Sequence, residues 1–202
     1  MASQLDWGFD TATAAYECFG ACRTMVLGGG SGTAARTTTI VAAIAEQQWW
    51  DHTAGQQLSW ISPYVVSPFS LAGLITFAAR AYESASTVNV GLRAKLFRVP
   101  ANPDDDIVNI GTFDRSGEIA TSFTNYTWTG TPGAAVPFAV NDRLLFQGFW
   151  YPQGGTIAAG TAEVQRTGTN AYVSLTEDVV FSTTRVRPPV QALPRLRERA
   201  IL

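Results

Sequence analysis

One histidine, two cysteines and a charged fraction of 15% are all that this 202-residue chain offers to several common chemistries, and each scarcity closes off a class of function. A Ser-His-Asp or Cys-His site would have to be assembled around His52, which follows Asp51 and Trp49-Trp50 in an aromatic-rich turn. There a hydrogen-bonded or surface histidine is the ordinary outcome. Cys18 and Cys22 are spaced C-x3-C, short of the roughly four ligands that a structural zinc takes, and His52 lies thirty residues beyond Cys22. No metal is expected. The two thiols are read as free, with a disulfide as the alternative. No Gly-Lys-Ser/Thr triplet occurs, which excludes a phosphate-cradling P-loop. No run approaches ~18 apolar residues, so no membrane span is expected. The opening MASQLDWGFD has neither a basic nor a strongly apolar region, so no signal peptide is expected either.

What is abundant is the vocabulary of strands. Apolar residues make up 46% of the chain, and Thr, Ala and Gly are frequent, a mixture that favours short strands and turns over helical bundles. A chain of this length buries ~70% of its unfolded surface, so a core needs no covalent staple. The alternation is clearest over Val88–Val99. There Val88, Val90, Leu92, Ala94 and Leu96 face one way, and Asn89, Gly91, Arg93 and Lys95 the other. With the apolar Leu74, Ile75 and Phe77 before it, and Glu83-Ser84-Ala85-Ser86 as a loop, Leu71–Val99 reads as two neighbouring strands of one sheet with a wet face.

Further strands are expected at Leu58–Val66, Ile107–Phe113, Phe123–Thr129, Arg143–Tyr151, Gly160–Gln165 and Tyr172–Phe181, a spacing that suits an antiparallel β-sandwich of jelly-roll type. The gaps are too short for crossover helices, which disfavours a parallel sheet. Residues 1–36 read as an N-terminal arm with a short helix around Thr11–Cys22 and a glycine hinge at Gly28–Gly32. Residues 37–184 read as the sandwich, opening with a strand at Thr37–Ile44, and residues 185–202 as an extended C-terminal arm. Pro188, Pro189 and Pro194 end regular sheet there, because proline cannot donate to a ladder.

Candidate chemistry is sparse. Thr24–Leu27 followed by Gly30-x-Gly32-x-x-Ala35 has the outline of a dinucleotide-binding turn. Yet Arg36-Thr37-Thr38-Thr39 opens a helix poorly and no acidic residue closes a second strand, so a hinge is preferred and no cofactor is expected. Asp104-Asp105-Asp106 lacks the spacing of a calcium loop and reads as a solvated connection. The aromatics offer more. Phe146 and Trp150 share one face of their strand, and Phe149 and Tyr151 the other. Core packing accounts for most of the rings, while Trp49, Trp50, Trp150 and Tyr151 are the candidates for a subunit interface or a sugar-stacking platform.

The charge distribution singles out the C-terminus. Arg185, Arg187, Arg195, Arg197 and Arg199 against Glu198 alone give residues 185–202 a charge of +4, which leaves −6 for the remainder of a chain whose net charge is −2. A basic arm on an acidic body reads as a segment that docks on protein, perhaps on a copy of the same body, with Val190, Leu193 and Leu196 filling apolar grooves. A solvated terminus is the alternative. Nucleic acid is disfavoured, since the segment has no lysine or aromatic residue.

At the strands described, and at Ile110-Gly111-Thr112-Phe113, Tyr126-Thr127-Trp128-Thr129-Gly130-Thr131-Pro132, Val140-Asn141-Asp142-Arg143-Leu144 and Gly154-Gly155-Thr156, the chain resembles a family of tailed-bacteriophage virion proteins. The resemblance runs over Leu71–Phe181 and leaves out residues 1–57 and 185–202. It implies a jelly-roll-like sandwich on the virion, as a capsid decoration (cement) protein or a minor tail, collar or neck protein. It carries no catalytic residues, and so no enzyme is expected. The implied partners are other virion proteins, major capsid or tail subunits, and further copies of the chain in a homo-oligomer such as a trimer. The competing expectation is a carbohydrate-binding host-attachment module.

Overall fold

In a computed structural model of the chain, residues 3–6, 12–13, 20–27, 33–42, 45–49, 57–102, 104–154, 157–167 and 170–182 are described. They form an all-β, predominantly antiparallel sandwich. Two long strands organise the first sheet and two the second.

In the first sheet β9 (Ile75–Glu83) is central. β12 (Thr124–Gly130) runs along one side of it, from Thr124↔Ala81 to Gly130↔Ile75. Along the other side lie β15 (Gly160–Thr167) and β16 (Tyr172–Leu175), end to end. Between the pairs Gln165↔Arg80 and Tyr172↔Ala78 this line advances seven residues while β9 advances two, so five residues loop out. Outside them, β5 (Thr33–Ile40) pairs with β15, and β1 (Ser3–Asp6) lies between β16 and β4 (Val26–Leu27).

The second sheet is built on β10 (Val90–Val99) and β14 (Arg143–Pro152), which pair without interruption from Val90↔Pro152 to Val99↔Arg143. β11 (Val108–Asp114) flanks β10. On the far side of β14 stand β6 (Gln47–Gln48) and β7 (Gln57–Ile61), followed by β3 (Gly20–Thr24) and β2 (Ala12–Thr13). A third, two-stranded sheet joins β8 (Phe69–Leu71) to β13 (Val136–Phe138), with Phe69 and Phe138 stacked 4.7 Å apart.

The expected strands are present within a few residues of their expected limits, but several placements differ. The apolar run at Leu71–Tyr82 is broken at Ala72-Gly73-Leu74, so that β8 and β9 are separate elements in separate sheets. β9 and β10 are not neighbours in one sheet; they belong to opposing sheets. Asn89, at φ 53°, takes up the left-handed turn of the connection, a conformation asparagine tolerates better than most residues. The helix expected at Thr11–Cys22 is not formed by the described residues there, since Ala12–Thr13 and Gly20–Thr24 are strands. The strand expected at Thr37–Ile44 begins and ends earlier, at Thr33–Ile40.

The described parts of residues 1–36, read from sequence as an arm, are paired into both sheets: Ser3–Asp6 against Tyr172–Leu175, and Gly20–Thr24 against Gln57–Ile61. That last pair is parallel. Parallel neighbours need a long crossover, and here the chain makes it through β4 and β5 of the opposite sheet.

Core packing follows the two-residue period. Leu92, Ala94 and Leu96 of β10 lie opposite Trp150, Gly148 and Phe146 of β14. The small central pair leaves a slot that Trp49 fills from above, its main-chain N–H donating to the Gly148 carbonyl at 3.0 Å. A Cβ at Gly148 would stand 2.1 Å from Trp49 Cε3. Trp49 reaches Phe146 and Trp150 in its own sheet, at 5.8 and 5.9 Å between ring centroids, and Trp128 of the opposite sheet at 6.5 Å. It is the ring that ties the two sheets together.

Candidate functional site

Burial removes most of the sequence-designated ring platform. Trp49 and Trp150 are 0% exposed, because both rings point into the gap between the sheets. Tyr151 is on the outer face of β14 but is also buried. These three do not form an exposed sugar-stacking surface or interface, and Trp50 lies outside the described residues. Arg185, Arg187, Val190, Leu193, Arg195, Leu196, Arg197, Arg199, His52 and Cys18 also lie outside them.

On the outer face of the second sheet the register places Arg93 opposite Phe149 and Lys95 opposite Gln147. Lys95 Nζ sits 4.4 Å from the Phe149 ring centre, and Arg93 Cζ 4.6 Å from that of Tyr151. Both edges of the Arg93 guanidinium are occupied. Nε and Nη2 donate to Asp114 at 2.7 and 2.8 Å, and Nη1 donates to Glu46 Oε2 at 2.9 Å. Lys95 donates to the other Glu46 oxygen at 2.5 Å. Burial alone would raise the Glu46 carboxyl, but hydrogen bonds from Lys95 and Arg93 and their charges hold it below its usual value. The hydrogen bonds of Asp114 outweigh burial and raise Arg93 further, keeping it charged. Burial, with the Asp114 charge, raises the Tyr151 phenol, whose O–H donates to the Arg115 carbonyl at 2.6 Å. Every charge in this lattice already has a partner, so its role is to cover aromatic surface.

Glu83 is a carboxyl that the sequence reading assigned to a loop. It ends β9 and continues that strand's inward series Ile75, Phe77, Ala79 and Ala81, with 0% exposure. Its Oε2 accepts the Val90 N–H at 3.2 Å, fastening the start of β10 across the connection between the sheets. Burial first, and then the neighbouring Glu118 carboxyl, raise its pKa from 4.5 to about 8. The geometry fits a protonated Glu83 that donates to Glu118. Two carboxyls in direct contact leave no room for a glycosidic bond between them, and Glu83 has no surface open to a substrate.

The end of the sandwich near the last described residue is locked by Asp142 and Arg143, which are 3% and 6% exposed. Asp142 accepts N–H groups from Ala101 at 3.0 Å and Ala139 at 2.8 Å, while Asn141 takes the left-handed turn at φ 71°. Arg143 Nε donates to the Ser62 carbonyl at 2.6 Å, and its guanidinium lies 4.6 Å from the Tyr64 ring centre. Trp128 Nε1 donates to the Phe113 carbonyl at 3.1 Å, and the Tyr126 hydroxyl accepts the Ala120 N–H at 2.5 Å. The segments that carry the virion-protein resemblance are therefore the ones that join the sheets at β11 and β12 and close this end. Among the described residues, no cluster of three or more His, Cys, Asp or Glu side chains is arranged to hold a metal. The glycine-rich turn at residues 28–32 is followed by strand β5 and not by the helix that a dinucleotide site requires.

No protein-family model matches the chain, and no curated protein matches it. Among solved structures, it superimposes on a CocE/NonD family hydrolase from Staphylococcus aureus with a TM-score of 0.52 and 8% identity, over 90% of this chain and 36% of that one. It also superimposes on an aminopeptidase from the marine sediment archaeon Thaumarchaeota archaeon with a TM-score of 0.53 and 11% identity, over 87% of this chain and 37% of that one. The chain thus spans little more than a third of either protein. At such identities the likeness is one of fold.

Proposed function

We infer that this chain is a non-enzymatic structural protein of a tailed-phage virion, in which the sandwich is a rigid body and residues 185–202 dock on a neighbouring subunit. The observation that carries this reading is where the described chain stops. Residues 176–182 run beside the loop at Tyr64–Val66, with the Ser182 N–H donating to the Tyr64 carbonyl at 2.8 Å. The basic segment therefore departs from a locked end of the body, next to exposed valines. Its arginines would meet acidic groups of the neighbour while Val190, Leu193 and Leu196 enter apolar grooves. Ordering such a segment costs ~1–2 kcal/mol per residue, which ties its docking to the assembled particle.

Capsid decoration is the favoured position, as a homo-oligomer such as a trimer over major capsid subunits, and a tail, collar or neck site is the second. Particles assembled with a chain truncated after Thr184 are expected to lack this protein, while the truncated chain keeps the full-length melting temperature. Normal incorporation of the truncated chain would overturn the reading. Copy number on purified particles separates the two positions: abundance comparable with the capsid subunit for decoration, a few copies for the tail or neck. The host-glycan alternative loses Trp49, Trp150 and Tyr151 as its platform, since all three are buried.

A further inference from the structure

Five large aliphatic side chains are conspicuously exposed among the described residues, and three of them gather at one end of the sandwich: Val66 at 48%, Val140 at 45% and Val180 at 52%. Main-chain hydrogen bonds bring them together. The Val66 N–H donates to the Val180 carbonyl, and the N–H of Asn141, next to Val140, donates to the Val65 carbonyl, both at 2.8 Å. The exposed Asp104, Asp105 and Asp106 lie on a loop fastened to the same end through the Ala101 N–H on Asp142. The result is an apolar cap with a carboxylate edge. An extended segment that mixes arginines with aliphatic residues has the matching chemistry, and residues 185–202 are such a segment.

The described chain ends at this cap, with Phe181 bridged to Val65. Pro188 and Pro189 favour extended backbone at ~3.1 Å per residue, which carries Val190 and all that follows roughly 20 Å from the cap of its own copy. Those residues are therefore placed to reach the cap of another copy. We propose that the Val66, Val140 and Val180 cap receives residues 185–202 of a second copy of this chain, so that copies associate head to tail by exchanging arms. Such a contact is heterologous, and it closes into a ring when the rotation between copies allows. The proposal rests on the reading of 185–202 as a docking arm and adds the surface that receives it.

The test uses the full-length chain, a chain truncated after Thr184, a Val66→Ser/Val180→Ser variant, and a synthetic peptide of residues 185–202, with oligomeric state read by sedimentation. The full-length chain is expected to self-associate, and both altered chains to be monomers with unchanged secondary structure. Mixing the truncated chain with the Val66→Ser/Val180→Ser variant should restore a complex, since one supplies an intact cap and the other an arm. The peptide should bind the truncated chain, at least tenfold more weakly after Val66→Ser/Val180→Ser and more weakly as salt rises.

Association lost on truncation but retained in the valine variant overturns the cap while leaving the arm reading standing. Association that survives truncation overturns both. A monomeric full-length chain whose truncated form binds the peptide at the cap means that each arm folds onto its own copy, and this too overturns the proposal.

Discussion

Replacing Glu83 by glutamine should make the protein more stable, and by an amount that grows with pH. In the folded state burial and the Glu118 carboxyl raise Glu83 from 4.5 to about 8, whereas an unfolded chain releases that proton near the ordinary value. Between those two pH values the folded state binds one more proton than the unfolded state, so stability falls as pH rises, by ~1.4 kcal/mol per pH unit. The contribution is fully present below about 4.5 and lost above about 8. Over that interval of about 3.5 pH units the loss amounts to about 5 kcal/mol, of which about 3 kcal/mol has gone by pH 7.

Glutamine has nearly the same shape and stays neutral. Its carbonyl can keep the Val90 N–H bond and its amide can donate to Glu118. Urea denaturation followed by tryptophan fluorescence, at steps from pH 4 to pH 9, should give coincident stabilities for the two proteins at the acid end and a widening gap in favour of Glu83→Gln above pH 5. Taking the difference between the proteins cancels every other titrating group. A difference that does not change with pH, or a Glu83→Gln variant less stable at every pH, would refute the reasoning and mean that the carboxyl is hydrated.

Gly148→Ala should destabilise the protein by about 1–3 kcal/mol, because the added methyl meets Trp49 at 2.1 Å; an unchanged melting temperature would mean that the ring moves freely. Trp150→Ala should cost about 3–5 kcal/mol through the cavity it leaves, since the ring is fully buried, and calorimetry reads both changes. The Glu177 carboxyl is raised by burial, but the N–H groups of Ala72 and Gly73, at 2.8 and 2.6 Å from Oε1, together with smaller hydrogen-bond contributions, hold it below 4.5 overall. Its stabilisation is therefore present above that value and lost as pH falls through the lower folded value. Glu177→Gln should cost about 1–2 kcal/mol at pH 7 and much less near pH 3, and an equal cost at both would contradict the assignment. Arg93→Lys cannot span Asp114 and Glu46 together, and a loss of about 1 kcal/mol that shrinks with added salt is expected in urea denaturation.

The positions of the strands were legible because alternation is a property of the local backbone. Val90, Leu92, Ala94 and Leu96 point inward whatever they pack against. The same rule marked Glu83, which keeps the parity of Ile75 and Phe77, but a glutamate ahead of Ser-Ala-Ser reads as a loop until its burial is seen. The Asp142-Arg143 pair stood out in sequence only as part of a family resemblance, and the structure supplies its physical task, closing one end through main-chain donors and acceptors.

Local pattern does not say which strands share a sheet. A chain that turns at Asn89 could form a hairpin or cross to the opposite sheet with the same residues, and the choice rests on pairings between distant segments, such as Ser3 with Leu175 and Gly20 with Gln57. Composition, strand spacing and the basic arm were therefore readable from the chain alone. The burial of Trp49, the protonation of Glu83 and the exposed valine cap arise only when the two sheets close on each other, because each depends on the neighbours that folding brings from far along the chain.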